Sequence, residues 1–270
     1  MPSEFRLRLT VAYEGTRYQG WQSQNKPLQP GPPTVQNEIE KVIFRMMGAY
    51  TPVHGAGRTD SGVHAQGQVC HVTLPARCRA FPWLRAMNRQ LPPDIRIFAV
   101  EEVPLHFHAR KHAQHKTYAY TLWCGGEGPL PHLHHLCWGV PVLDEQAMLC
   151  AASYLTGTHD FAFVQNMGSH VITTVRTLMA VTPVHGQLHG MHCPPEWPVC
   201  TWQFTGTGFL KQMVRNLMGL LVWVGKGKLP PHCVPELMRT GQRNALPSPA
   251  APAKGLCLMQ VAYPAELPTL

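Results

Sequence analysis

The alternation near the start of the chain limits its fold more than any other feature. Phe5, Leu7, Leu9 and Val11 are separated by Arg6, Arg8 and Thr10, the period of two that belongs to a β-strand with one buried and one solvated face. On a helix the same apolar residues would be spread around the axis and could not share one core. Strand-like stretches recur at Val69–Leu74, Ile95–Val100, Thr117–Trp123, Val171–Val181, Val199–Thr205 and Leu256–Tyr263. Helical spacing is rarer. Thr34 is placed to cap a helix carrying Val35, Ile39, Val42, Ile43 and Met46, and Phe81, Leu84, Met87 and Leu91 suggest a second, closed by Pro92 and Pro93. Two more helices are predicted over Asp144–Leu155 and Phe209–Val224. Many strands, short connections and few helices argue for an α+β fold built on a central, mostly antiparallel sheet flanked by helices. Pro27–Pro33 and Pro247–Pro252 read as irregular segments. The best internal boundary, Glu102–His108, divides the chain into an N-terminal half at 1–106 and a C-terminal half at 107–270.

The 270 residues suffice for one large domain or two moderate ones, and 44% hydrophobic content excludes a disordered chain. Lys and Arg number 23 against 15 Asp and Glu, a net charge of +8. That excess favours a polyanionic partner, nucleic acid first, although the basic residues form no long run. The 9 cysteines are scattered without a Cys-x-x-Cys pair, so reduced thiols are expected rather than a disulfide framework or a zinc ribbon. The start lacks the apolar core of a signal peptide. The longest apolar run, Leu217–Val224, falls far short of the ~20 residues of a membrane helix. A cytoplasmic protein with no membrane association is the expectation.

Four segments are candidates for chemistry. In His54-Gly55-Ala56-Gly57-Arg58-Thr59-Asp60-Ser61-Gly62-Val63-His64-Ala65 three glycines punctuate a turn that would present Arg58 and Asp60 outward. In His115-Lys116-Thr117-Tyr118-Ala119-Tyr120 alternation sets both tyrosines on one face of a strand, beside basic residues. That arrangement suits stacking on an unpaired base, although two tyrosines in a strand are more often packing residues. In Phe209–Leu217 an apolar helix would carry Lys211 and Arg215 one turn apart on a shared face, and an arginine buried there needs a carboxylate, for which Asp60 is a candidate. The histidine-rich Pro131–Cys137 has no second ligand cluster at zinc spacing, so solvated loop histidines and no metal site are expected.

Taken in order, these segments resemble the TruA-type tRNA pseudouridine synthases. The resemblance runs from Ala12-Tyr13-Glu14-Gly15-Thr16-Arg17-Tyr18-Gln19-Gly20-Trp21-Gln22, through Gly57–Ala65 with Gln68-Val69, to Asn88 and Leu91-Pro92-Pro93-Asp94-Ile95. It continues with Phe107-His108-Ala109-Arg110, Tyr118, Met213-Val214-Arg215-Asn216 and Ala251-Pro252-Ala253-Lys254-Gly255-Leu256. It implies isomerisation of uridine to pseudouridine at positions 38, 39 and 40 in the anticodon stem-loop of tRNA, without a cofactor. By the same resemblance Asp60 is the catalytic carboxylate, Arg215 its ionic partner, and Tyr118 the ring that stacks on the uracil and assists proton transfer from C5. Arg58 would fill the space left by the extruded base. Two similar halves with a cleft between them, and a homodimer in which one tRNA touches both subunits, are further implications.

The carboxylate has two routes, addition to the uracil ring or attack on the ribose, and the residues serve either. Ala162-Phe163-Val164-Gln165 departs from the serine-phenylalanine-arginine run often found in the family, and His54 and His132–His135 are not family features. Competing readings are a synthase of the same fold acting elsewhere in RNA, and an RNA-binding module without catalysis.

Overall fold

The computed structural model describes residues 3–22, 31–166, 171–242 and 246–266, so most of Pro27–Pro33 lies outside the described residues. These residues fall into two compact units, one formed by 1–114 with 258–270 and the other by 115–257.

The first unit contains β1 (Glu4–Tyr13), α1 (Val35–Met47), β2 (His54–Gly55), β3 (His64–Pro75), α2 (Trp83–Asn88) and β4 (Ile95–Val103). The predicted alternation is realised in β1, where Phe5, Leu7, Leu9, Val11 and Tyr13 are buried and the residues between them are not. It lies between β3 and β4, antiparallel to both. The last strand, β12 (Leu256–Ala262), neighbours β3, while the short β2 pairs with the same strand at Cys70 and His71.

Helix α1 begins where its cap predicts. The Thr34 side chain accepts from Asn37 N, and Gly48, left-handed at φ 68°, closes the helix by donating to Phe44 O. Its Val35, Ile39, Val42 and Ile43 are buried. Helix α2 differs from its expectation: Pro82 delays the start to Trp83, so Trp83 and Met87 form the buried pair. Phe81 and Leu84 are left outward at 47% and 41% exposure. Asn88 at its end donates to Ile97 O (2.7 Å) and accepts from Ile97 N (2.9 Å), serving as one rung of a strand beside β4.

The second unit opens with β5 (His115–Cys124), β6 (Trp138–Val140), α3 (Glu145–Leu155), β7 (Gly157–Asp160) and β8 (Val175–His185). It continues with the small hairpin of β9 (Gln187–Leu188) and β10 (Met191–His192), then β11 (Val199–Gly206), α4 (Met213–Gly225) and α5 (Val234–Thr240). Its strand order is β5-β11-β8-β7, antiparallel throughout, with β6 added to β5 in parallel. Mostly antiparallel strands with few helices make the α+β class plain.

Two boundaries shift from their predicted places. Strand β8 starts at Val175 rather than Val171, because Thr174 is spent closing the turn after β7: its hydroxyl donates to Asp160 Oδ1 and its carbonyl accepts from Phe161 N. It runs on to His185 through Pro183, tolerated because β7 reaches only Val175–Leu178 and leaves that stretch at an edge. Helix α4 starts at Met213, since Gln212 sits in the left-handed region at φ 60° and interrupts the helical bonding. Lys211 therefore precedes the helix, and the predicted face shared by Lys211 and Arg215 does not form. All of α4 except Arg215 and Trp223 is buried, the pattern of a core helix. Asn216, wholly buried, donates to Val164 O, so the divergent Ala162–Val164 segment is a core turn of this unit.

Candidate active site

Between β2 and β3 the chain makes the loop that carries Arg58 and Asp60. Its base is fastened to β3, with Ala56 N donating to Val69 O (2.7 Å) and the Gln68 amide to Gly57 O (3.0 Å). Its far side is fastened to the segment after β1. The Tyr13 hydroxyl bonds Thr59 Oγ1 (2.8 Å), Trp21 N donates to Thr59 O (3.2 Å), and Gly62 N and Ser61 Oγ both donate to Tyr18 O (3.2 Å each). Gly15 N donates to His64 Nδ1 (3.0 Å), so the ring holds the exit of the loop.

These anchors explain which side chains turn outward. Thr59, Val63 and His64 are buried at 7%, 1% and 3% exposure, whereas Asp60 between them is half-buried and Arg58 exposed. The Arg58 Nε donates to Gln22 Oε1. Of the three glycines in the motif, Gly62 has a positive φ (78°) and makes the turn behind Asp60. A glycine outside the motif matters as much. At Gly20 (φ 81°) a Cβ would lie 2.3 Å from Thr59 O, so the loop can seat only against a residue without a side chain.

Beside the loop, Tyr18 donates to Asp94 Oδ1 (2.5 Å), and Arg17 pairs with the other oxygen (3.2 Å). Burial and the Asp94 carboxylate push the Tyr18 hydroxyl well above the usual phenol range, which keeps it a donor.

In the second unit Tyr118 lies on β5 opposite Phe204 of β11, 7% exposed, with its ring edge-on to Phe209 at 5.0 Å. Tyr120, on the same face, is fully buried and donates to Pro252 O (2.7 Å). Burial raises its hydroxyl pKa, opposed by the positive charge of Arg215 nearby. Tyr120 is therefore a packing residue. Arg215 is half-buried on α4 and tied twice to the crossing segment: its Nε donates to Ala251 O (2.7 Å), and its carbonyl accepts from Ala251 N (2.9 Å). Those bonds set the direction of the guanidinium.

The structure thus gathers Arg58 and Asp60 on one anchored loop of the first unit, and holds Tyr118 and Arg215 on separate elements of the second. No chemical signal in the sequence marks Tyr13, Tyr18, Gly20 and His64 as supports of the loop, although each falls within a segment that carries the resemblance. In the histidine-rich stretch Leu133 and Leu136 pack against the cluster of Trp123, Cys137, Leu188 and Val199, while His132 and His134 are exposed.

A family model described as tRNA pseudouridine synthase matches residues 9–110 and 151–264. The tRNA pseudouridine synthase A of Nitratidesulfovibrio vulgaris (strain DSM 19637 / Miyazaki F) is 46% identical, covering 96% of this chain and 99% of its own. The proteins of that name from Lawsonia intracellularis and Geobacillus kaustophilus are 43% and 36% identical, over 96% and 97% of this chain and 99% and 95% of theirs. The chain belongs to the tRNA pseudouridine synthase family.

Proposed function

We propose that this enzyme converts uridine to pseudouridine in the anticodon stem-loop of tRNA, at positions 38, 39 and 40. The reaction breaks the N1–C1′ bond, turns the uracil and joins C5 to C1′, so it needs a nucleophilic carboxylate within reach of a base taken out of its stack. The observation that carries this reading is the Asp60 loop, in which buried Thr59 and Val63 fix the backbone on either side of a half-buried carboxylate. Preorganisation of that kind holds the reacting oxygen in place without reorganisation during the reaction.

On this reading Arg215 pairs with Asp60 and favours its ionised form. Tyr118 stacks on the target uracil and assists proton transfer from C5. Arg58 enters the space left by the base, where a planar cation offsets part of the lost stacking. No cofactor takes part. The protein works as a homodimer in the cytoplasm, one tRNA touching both subunits. Among the described residues no helix is long and apolar enough to cross a membrane, and the net charge of +8 suits a polyanionic substrate.

The test is release of tritium from tRNA labelled at C5 of uridine, followed by mapping of the modified positions. Release confined to positions 38–40 supports the assignment. Modification elsewhere would transfer it to another RNA site, and absence of release with tight tRNA binding would leave an RNA-binding module. Sedimentation with and without tRNA tests the dimer.

A further inference from the structure

We propose that Glu145, His185 and Cys200 form a binding site for a zinc-class divalent cation in the second unit. Strand register brings the first two ligands together: His185 of β8 lies directly across from Cys200 of β11, which puts both side chains on one face of the sheet. Glu145, in the first turn of α3, comes down onto that face. Its Oε1 lies 3.1 Å from His185 Nε2 and its Oε2 3.9 Å from Cys200 Sγ, and the ligand atoms of all three residues fall within 4.8 Å of one another.

A tetrahedral zinc ion with bonds of about 2.0 Å to nitrogen and oxygen and 2.3 Å to sulfur separates its ligands by roughly 3.3 to 3.6 Å. The carboxylate contacts already bracket that range. The remaining closure is a rotation of His185, whose side chain is 63% exposed. The three flank a cavity of about 330 Å³, also lined by Cys124 and Trp197, which leaves room for a water as fourth ligand. Cys124 lies two residues along β5 from Leu122, the partner of Cys200, and so shares their face.

An ion pair between Glu145 and His185 accounts for two of these groups but not for a cysteine sulfur at the second carboxylate oxygen. A thiolate, an imidazole and a carboxylate together match zinc, and they disfavour calcium and magnesium, which take oxygen. Binding is balanced by loss of one proton: Cys200 enters as thiolate and its proton goes to solvent, while His185 binds through Nε2 as the Nδ1–H tautomer.

Cobalt(II) is the probe, because thiolate ligation gives it a charge-transfer band in the near ultraviolet. Titration of the purified full-length protein is expected to saturate at one equivalent, with zinc displacing the cobalt. With 9 free cysteines in the chain, the variants decide where the ion sits. Cys200→Ser should abolish the band, and His185→Ala, at an exposed position that spares the fold, should weaken cobalt binding at least about tenfold. Cys150→Ser, on the exposed side of α3, should leave both unchanged. No band at one equivalent, or an affinity unchanged in either Cys200→Ser or His185→Ala, overturns the proposal.

Discussion

At Asp60 the proposed reaction asks for a negative oxygen held at a fixed point, and an amide of nearly the same shape removes only the charge. Asp60→Asn is expected to bring isomerisation below detection while tRNA affinity stays within about twofold; tritium release paired with filter binding checks both. Arg58 makes a different demand, on the RNA rather than on the bond being broken. Base extrusion costs a few kcal/mol, so Arg58→Ala should slow turnover at least about tenfold. Arg58→Lys should restore it only in part, because an ammonium offers no planar surface. The loss should be larger at a paired stem uridine than at an unpaired loop uridine in the same tRNA, and equal losses would reduce Arg58 to a phosphate contact. A third residue governs response to acid. His71 is buried, its Nδ1 accepts from Ala109 N, and burial, with the charges of Arg6, His54 and His108, lowers its pKa from 6.5 to about 3. The unfolded chain therefore takes up a proton that the folded chain refuses. Stability should fall as pH drops from about 6.5 toward 3, by at most about 1.4 kcal/mol per pH unit. Urea titrations between pH 7 and 5 should give a shallower fall for His71→Asn, which keeps an acceptor and loses the titration. The Asp60 loop was legible as a glycine-punctuated motif. Its anchors were not, because the bonds that turn Asp60 outward end mostly on backbone atoms such as Thr59 O and Tyr18 O, which no pattern of side chains encodes.

Elements with strong periodicity came through intact. The alternation of Phe5 to Val11 marked β1, and the Thr34 cap marked the first turn of α1. That cap carries its own prediction: Thr34→Ala removes the acceptor for Asn37 N and should cost about 1 kcal/mol of stability, read as a lower denaturation midpoint with unchanged slope. Where reading and structure diverged, a local conformation overrode a continuing apolar pattern. Phe209 and Leu210 extend the hydrophobic run of α4, yet the left-handed Gln212 stops the helix after them. Phe81 and Leu84 look like one face of α2, yet Pro82 shifts the helix so that Trp83 and Met87 are buried instead. The short β6, β7, β9 and β10 have too few residues for any period to show.

For the molecule as a whole, the charge of +8 acts on tRNA through the phosphates. Log affinity should fall linearly with log salt, because each neutralised phosphate releases a counterion; binding titrations at a series of potassium chloride concentrations check this, and a flat line would argue against an RNA substrate. The final strand has a further consequence, for the time at which the protein can fold. The first unit is nearly all encoded by residues 1–114, but its sheet takes in Leu258–Ala262 of β12 as the neighbour of β3. At about 5 to 20 residues per second, a ribosome needs roughly 7 to 30 s to make the intervening segment 115–257. Throughout that interval the nascent chain displays the part of β3 that β2 leaves uncovered and β12 has yet to pair, a template for any other extended chain in reach. The enzyme's yield in a cell is thus exposed to translation speed and to chaperones that shield strand edges, a sensitivity set by the order in which the strands are synthesised.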